Sequence, residues 1–296
     1  MSFEITNAFV QQYNSNVQLL LQQNGSRLRD KVANGNYVGK AGKVVDQIGA
    51  VTAQRRVNRH GDTPLISTPH DARWVYPNDF EWADLIDDVD KLRMLIEPTS
   101  PYARNGAYAH GRAMDVEIIR AAFESSKTGE NGTTVTVFDT AHQQIPVQES
   151  SANTGLTLNK LRKAKKILLA NEVDVNMEPL YIAVTAEQLD DLLNTKEITS
   201  ADYNTIKALV HGEVNSFMGF EFVHTELLPT ESTNVRRLIA WAKSGIHLGL
   251  WNDINSKITD RADKSYSTQV YVKSTFGATR VEEKKVIEIL AYEDPS

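Results

Sequence analysis

Residues 101–126 read PYARNGAYAHGRAMDVEIIRAAFESS, the longest stretch of the chain that predicts one uninterrupted helix. Ser100 can cap its first turn through the side-chain oxygen, and Pro101 suits the first helical position. Residues 127–129 supply a stop signal. At a rise of roughly 1.5 Å per residue the helix would be about 40 Å long, more than most small domains need across their core. The stretch therefore predicts a long supporting helix.

The apolar face of this helix is wide, because two adjacent rows of apolar residues run along it. Gly106 and Gly111 lack side chains, so another backbone can lie close at these positions, although each glycine lowers helix stability. An ordinary core helix of an α+β enzyme would give the same pattern. That alternative stays open on these residues.

The composition excludes several kinds of protein. A chain of 296 residues can bury a real core as one large or two modest domains. Its net charge of -6 argues against a nucleic-acid binder that works through a broad basic face. The absence of cysteine excludes disulfides, thiolate zinc sites and cysteine nucleophiles. No apolar run approaches the roughly 18 residues of a membrane span, and we expect no membrane association.

Residues 35–77 predict a long two-stranded arm. Glycines and prolines punctuate two β-prone pieces, residues 43–57 and 72–76. Apolar residues are few for this length, and an isolated hairpin is marginal in water, so the arm needs a surface to lie against. It holds three acidic residues and six basic ones. The basic residues are candidate contacts with another surface: Lys40, Lys43, Arg55, Arg56, Arg59 and Arg73.

The next segment has the opposite charge. Residues 79–96 predict a helix that Asn78 caps and Pro98 ends. A positive arm beside a negative helix suggests complementary surfaces, although a solvated loop and a solvated helix face explain the charges equally well. The candidate acidic partners of the arm are Asp84, Asp87, Asp88 and Asp90.

Shorter elements are predicted on either side of these segments. A basic amphipathic helix covers residues 156–171, and we expect a solvated surface helix there rather than one that binds membranes or acidic partners. Alternating apolar residues predict strands near the end of the chain. The other predictions are helices at 5–23, 186–194 and 201–210, strands at 180–184 and from 220, and a small hairpin of 133–138 with 145–147.

No motif supports catalysis or a cofactor. The glycine-rich sequence GNYVGKAGK at 35–43 lacks the phosphate-loop spacing, and Ala41 stands where a magnesium-binding hydroxyl is required. None of the seven histidines is paired at metal-ligand spacing. We expect His110 and His224 to be packed or hydrogen-bonded. We therefore predict no enzyme, no cofactor and no metal.

The order of these parts resembles the major capsid protein of tailed double-stranded-DNA bacteriophages, the Hong Kong 97-type fold that encapsulins share. Three passages support the resemblance. TAEQLDDLL follows the strand at 180–184, and NSFMGFEFVHTELLP at 215–229 holds a glycine, an aromatic strand and Leu-Pro. The passage from IAWAKSGIHLGL at 239–250 to FGATRVEE at 276–283 resembles the part of this family's sequence in which the chain crosses back to the peripheral domain.

The resemblance implies an α+β fold with four parts. These are an N-terminal arm at 1–34, an extended β-hairpin loop at 35–77, a peripheral domain with the spine helix at 78–171 and 255–296, and an axial domain with a central β-sheet at 172–254. It implies pentameric and hexameric capsomers of an icosahedral head, with extended loops lying over neighbouring copies.

The resemblance also implies partners and a location. We expect other copies of the chain, a separate scaffolding protein, a portal, a decoration protein as a candidate, and packaged double-stranded DNA bound without sequence specificity. The protein would be assembled in the bacterial host cytoplasm and reside in the virion. Two alternatives are an encapsulin-like nanocompartment and a soluble α+β enzyme.

Overall fold

A computed structural model describes residues 22–55, 65–86, 99–149, 152–194 and 216–293. The fold is α+β, as predicted. The predicted helices at 5–23 and 201–210 lie outside the described residues, apart from the last two positions of the first. The described α-helices are α1 Thr99–Phe123, α2 Thr140–Gln143, α3 Leu158–Ala170 and α4 Ala186–Asn194.

The strands form three larger sheets and one two-stranded ribbon. They are β1 Ala33–Asn36, β2 Gly42–Ile48, β3 His70–Val75, β4 Asn78–Ile86, β5 Ser126–Thr128, β6 Thr134–Thr136, β7 Gln144–Ile145, β8 Gln148–Glu149, β9 Ala152–Asn153, β10 Leu180–Val184, β11 Ser216–Phe217, β12 Phe220–His224, β13 Thr230–Ser232, β14 Val235–Ala242, β15 Ile246–Arg261, β16 Ser267–Arg280 and β17 Val286–Tyr292. The sheets have the orders β1-β15-β16-β4, β11-β12-β10-β14-β17-β7 with β13 beside β14, and β2-β3-β5-β6, and the ribbon is β8-β9.

Helix α1 is the long supporting helix that the sequence predicts. It begins two residues earlier than expected and ends at Phe123, so that Ser126 enters β5 instead of the helix. Met114 and Ile118 are almost fully buried in the core. The helix packs on the sheet of β15 and β16, so its apolar face and that sheet bury one another.

The predicted close approach of another backbone to α1 is confirmed at Gly111, whereas Gly106 lies against the side chains of Trp82 and Val272. A Cβ atom at Gly111 would lie 2.4 Å from the backbone carbon of Gly25, so only glycine lets the N-terminal segment cross the helix here. One turn further, the buried Asp115 carboxylate accepts hydrogen bonds from the backbone N–H groups of Arg27 at 2.9 Å and Leu28 at 3.1 Å. The crossing is therefore fixed by both shape and hydrogen bonds.

The seven-stranded sheet forms the centre of the second region. All five residues of β10 are buried, and the predicted strand at 180–184 is confirmed. Strand β17 pairs with β14 in antiparallel register over seven residue pairs, so the end of the chain returns to this sheet. Glu288 of β17 is fully buried, but Arg237 and Gln144 bind its two carboxylate oxygens, which compensates its burial.

The helix predicted for residues 79–96 is wrong where the structure describes it. Residues 78–86 form β4, which pairs with β16 in antiparallel register from Asn78↔Phe276 to Ile86↔Thr268. Phe80 and Trp82 alternate with acidic residues in the two-residue period of a strand, and the helix prediction did not take this period into account. Phe80 stacks on Phe276 with 4.4 Å between ring centroids, and this cross-strand packing favours the strand.

The small hairpin predicted from 133–138 and 145–147 is also wrong. Strand β6 pairs with β5, whereas β7 runs parallel to β17 in the seven-stranded sheet. The two pieces are adjacent in sequence and belong to different sheets. Pairing of short strands is decided by tertiary contacts that the local pattern does not contain.

The basic amphipathic helix predicted at 156–171 is confirmed as α3, whose first turn Thr157 caps by accepting the N–H of Lys160 at 3.3 Å. Leu161, Ala164 and Leu168 are fully buried. Lys160 is also fully buried, unlike the other basic residues of the helix. No helix among the described residues has the length and apolar character needed to cross a membrane.

Candidate functional site

Five of the ten predicted contact residues lie in the part of the chain that the structure describes. These are Lys40, Lys43, Arg55, Arg73 and Asp84. The other five lie outside it: Arg56, Arg59, Asp87, Asp88 and Asp90.

The predicted two-stranded arm is present as β2 and β3. Their antiparallel register runs from Gly42↔Val75 to Ile48↔His70, and one more backbone hydrogen bond joins Gly49 N to Pro69 O at 2.9 Å. Beyond it, residues 49–55 and 65–69 belong to no strand. The outer part of the arm is therefore not held by strand pairing within the described residues.

The outer part of the arm exposes apolar side chains. Ile48 is 68% exposed, Val51 52% and Leu65 98%. Val45 and Ile66 are exposed as well. A cluster of this kind on a protruding element is typical of a surface that another molecule covers. These exposed apolar residues were not predicted as contacts, because the charges of the arm are the stronger signal in its sequence.

The base of the arm is tightly fixed to the body of the subunit. Arg73 is 5% exposed, and its guanidinium contacts Glu283 Oε2 at 2.7 Å and Gln47 Oε1 at 3.2 Å. Trp74 donates its indole N–H to Gly129 O at 2.8 Å. Strand β3 also pairs with β5. The arm therefore projects from a rigid base.

The predicted cations of the arm differ in their surroundings. Arg73 is used within its own chain, as described above, and Lys43 forms an ion pair with Asp46 of the same strand. Lys40 and Arg55 are exposed and make no ion pair with any described residue. These two cations are the ones that the structure leaves available to another molecule.

Asp84 lies on β4 rather than on a helix. Strand β4 ends its sheet, and no described strand pairs with its outer edge. Asp79 accepts a hydrogen bond from Thr275 Oγ1 at 2.6 Å, and Glu81 accepts one from Tyr271 Oη at 3.1 Å. Asp79, Glu81 and Asp84 thus lie along a nine-residue strand that pairs with β16 on one edge and with no described strand on the other.

His110, His224 and His247 are packed or hydrogen-bonded, as the sequence predicts for the first two. His110 is 2% exposed, its Nδ1 lies 2.6 Å from Ser274 Oγ, and burial lowers its pKa. His224 lies between Arg27 and Glu226, with 2.8 Å to each. Burial lowers the pKa of His247 to about 4, so its ring is neutral at pH 7. The described ranges contain no group of three or more His, Asp or Glu residues that could hold a metal ion.

Three comparisons place this geometry among known proteins. The model of a family described as phage capsid protein matches residues 5–293. A search of curated proteins gave no match. The capsid structure of the cyanophage P-SCSP1u is similar to this chain with a TM-score of 0.75 at 16% identity, covering 98% of this chain and 94% of that one.

Two further solved structures show the same fold. That of Mycobacterium phage Che8 has a TM-score of 0.68 at 15% identity, covering 95% of this chain and 97% of its own. The capsid of Ralstonia phage GP4 has a TM-score of 0.69 at 10% identity, covering 97% and 96%. The family match spans nearly the whole chain, so the protein belongs to the phage capsid protein family and is a major capsid protein, a structural subunit of the virion that forms capsomers.

Proposed function

We propose that the arm of each subunit lies on a neighbouring copy within the capsomer and that this contact guides assembly of an icosahedral head around double-stranded DNA. The exposed outer arm carries the proposal, since most of the surface of the Ile48, Val51 and Leu65 side chains is exposed in the subunit, as is typical of residues that another molecule covers. Burial of these side chains by a neighbour would supply adhesion. Lys40 and Arg55 would select the register, with acidic residues such as Asp84 of the neighbour as partners.

We propose that the chain is divided into the four parts that the resemblance implies. Residues 1–34 form the N-terminal arm, 35–77 the extended loop, and 172–254 the axial domain that meets its copies at the centre of pentamers and hexamers. Residues 78–171 and 255–296 form the peripheral domain, with β17 returning to the sheet that holds β10 and β14. The proposal includes a scaffolding protein, a portal and a decoration protein as partners, and assembly in the host cytoplasm. The family match does not favour a nanocompartment or an enzyme.

Reversing the charge of the arm should impair assembly while leaving the subunit folded. We expect the variant Arg55→Glu, Arg56→Glu and Arg59→Glu to give few closed particles in negative-stain microscopy when it is expressed with its neighbouring reading frames. Each exposed ion pair contributes under about 1 kcal/mol, but three reversals repeated at every interface oppose docking. Circular dichroism and thermal unfolding of the free subunit should be unchanged.

The matched control replaces the same three arginines with lysine. This variant keeps the charge and should assemble normally. Normal yields of closed particles from the glutamate variant would refute a docking role for the charges of the arm.

The shell should hold its DNA without strong binding. A net charge of -6 per subunit gives a surface that repels phosphates overall, which suits a container whose contents must leave. We expect purified empty shells to release added duplex DNA at moderate salt in a sedimentation assay. Retention of most of the DNA under these conditions would contradict this expectation.

A further inference from the structure

The face of α3 that points away from the core borders an open groove of about 880 Å³. Lys166 lies four residues after Arg162 and three after Lys163, so these side chains are neighbours on this face of the helix. Leu169, which is 49% exposed, and Met218 from the turn between β11 and β12 also line the groove. We call this surface the α3 groove.

The α3 groove is strongly positive in an acidic protein. Four basic residues line it and Glu149 is its one acidic residue, a local charge of +3 against -6 for the whole chain. Lys163 Nζ lies 3.3 Å from Glu149 Oε1, and Lys165 donates to the Met218 carbonyl at 2.9 Å. Arg162 and Lys166 make no ion pair with a described residue. Two cations are thus available to an anionic ligand.

The groove is preformed, because the opposite face of α3 is anchored. Leu161, Ala164 and Leu168 are fully buried on that side. Insertion of α3 into a membrane would expose these residues, since the apolar face of the helix is already used in the core. A ligand therefore meets cations that project from a backbone that is already fixed.

We propose that the α3 groove binds an acidic peptide segment that also carries an apolar side chain, supplied by a separate protein. Carboxylates at helical or extended spacing can pair with Arg162 and Lys166, and an aliphatic side chain can cover Leu169 and Met218. A nucleic acid offers phosphates for the cations but no aliphatic group for the apolar end.

The test is fluorescence anisotropy with the purified full chain and three labelled probes of about equal charge. These are a peptide of about 16 residues made of Glu and Leu, a Glu and Ser peptide of the same length, and a short DNA duplex. The Glu and Leu peptide should bind most tightly, with an affinity that falls as salt rises. Arg162→Glu with Lys166→Glu should weaken it by at least about tenfold.

Two controls separate charge from apolar contact. Leu169→Ser should weaken the Glu and Leu peptide and leave the Glu and Ser peptide unchanged. Lys257→Glu with Lys264→Glu, which reverses two exposed lysines near the tip of the β15–β16 hairpin, should change neither.

Three results would overturn the proposal. The first is tighter binding of the duplex than of either peptide. The second is equal binding of the peptide to the wild type and to the charge-reversed variant. The third is a combination of two findings: the wild type binds no peptide, and the charge-reversed variant forms no particles. Together they would identify the α3 groove as a contact between copies of the chain.

Discussion

Replacing Lys160 with methionine should lower the free energy of unfolding by about 2–3 kcal/mol, because buried backbone carbonyls would be left without a donor. The Lys160 ammonium is fully buried, and four backbone carbonyls within hydrogen-bond distance share its three N–H groups. Their distances are 2.6 Å to Thr154, 2.9 Å to Gly155, 2.9 Å to Leu290 and 3.1 Å to Val147. Methionine has a similar length and no donor, so these carbonyls would lose a shared partner.

Denaturant unfolding followed by circular dichroism measures this loss, with Lys163→Met as the matched control. Lys163 lies three residues further along α3, is about half exposed and pairs with Glu149. Its replacement should therefore lower the free energy of unfolding by under about 1 kcal/mol. Equal stability of the two variants would show that the Lys160 cluster contributes little.

The same cluster predicts a pH dependence. Burial lowers the pKa of Lys160 from its ordinary value of 10.5 to about 8. Between these values the unfolded chain binds a proton that the folded chain has released, so this group makes stability rise with pH. Below pH 8 both states are protonated and the effect is absent. The stability difference between the wild type and Lys160→Met should therefore increase from pH 8 to 10, and a constant difference would contradict the linkage.

Replacing Arg280 with methionine should cost about 3 kcal/mol or more, because charge-assisted hydrogen bonds at a buried helix end would be lost. Arg280 is fully buried, and its guanidinium donates to the carbonyls of Ala122 at 2.9 Å and Glu124 at 2.7 Å. Backbone carbonyls in the last turn of a helix have no partner within the helix, so Arg280 supplies one for α1. The guanidinium also lies over the Phe138 ring, 5.2 Å from its centroid.

Arg120→Met is the control for this variant. Arg120 lies on α1 itself and is half exposed, 3.0 Å from the exposed Glu124 and 3.5 Å from the buried Glu117, which also accepts a hydrogen bond from Asn78. Its loss should change stability by under about 1 kcal/mol. If thermal unfolding shifted equally in the two variants, Arg280 would not hold the end of α1 in the way that its contacts indicate.

The parts of the fold that could be predicted from sequence have strong local signals. Helix α1 has start and stop residues around an apolar period, and β10 is a continuous apolar run. The arm was predicted from the turn residues that flank its strands, and its need for support was inferred from its few apolar residues.

The parts that failed depend on distant partners. The residues of β4 have both helical and strand spacing, and their pairing with β16, almost two hundred positions later, favours the strand. Arg73 remains a candidate contact of the arm, but the sequence did not indicate that Glu283 of a distant turn pairs with it in the subunit. In the sequence Lys160 looks like the exposed lysines that follow it on α3. Its burial depends on backbone carbonyls from other parts of the chain, such as that of Leu290, which the local pattern does not show.

The charges of β4 have a consequence for the free subunit. A nine-residue strand with an open edge is a template on which another chain can add, and uncontrolled addition leads to fibrous aggregates. Asp79, Glu81 and Asp84 place negative charge along that edge, so two copies that approach strand to strand repel one another. These charges therefore disfavour association of free subunits through the outer edge of β4.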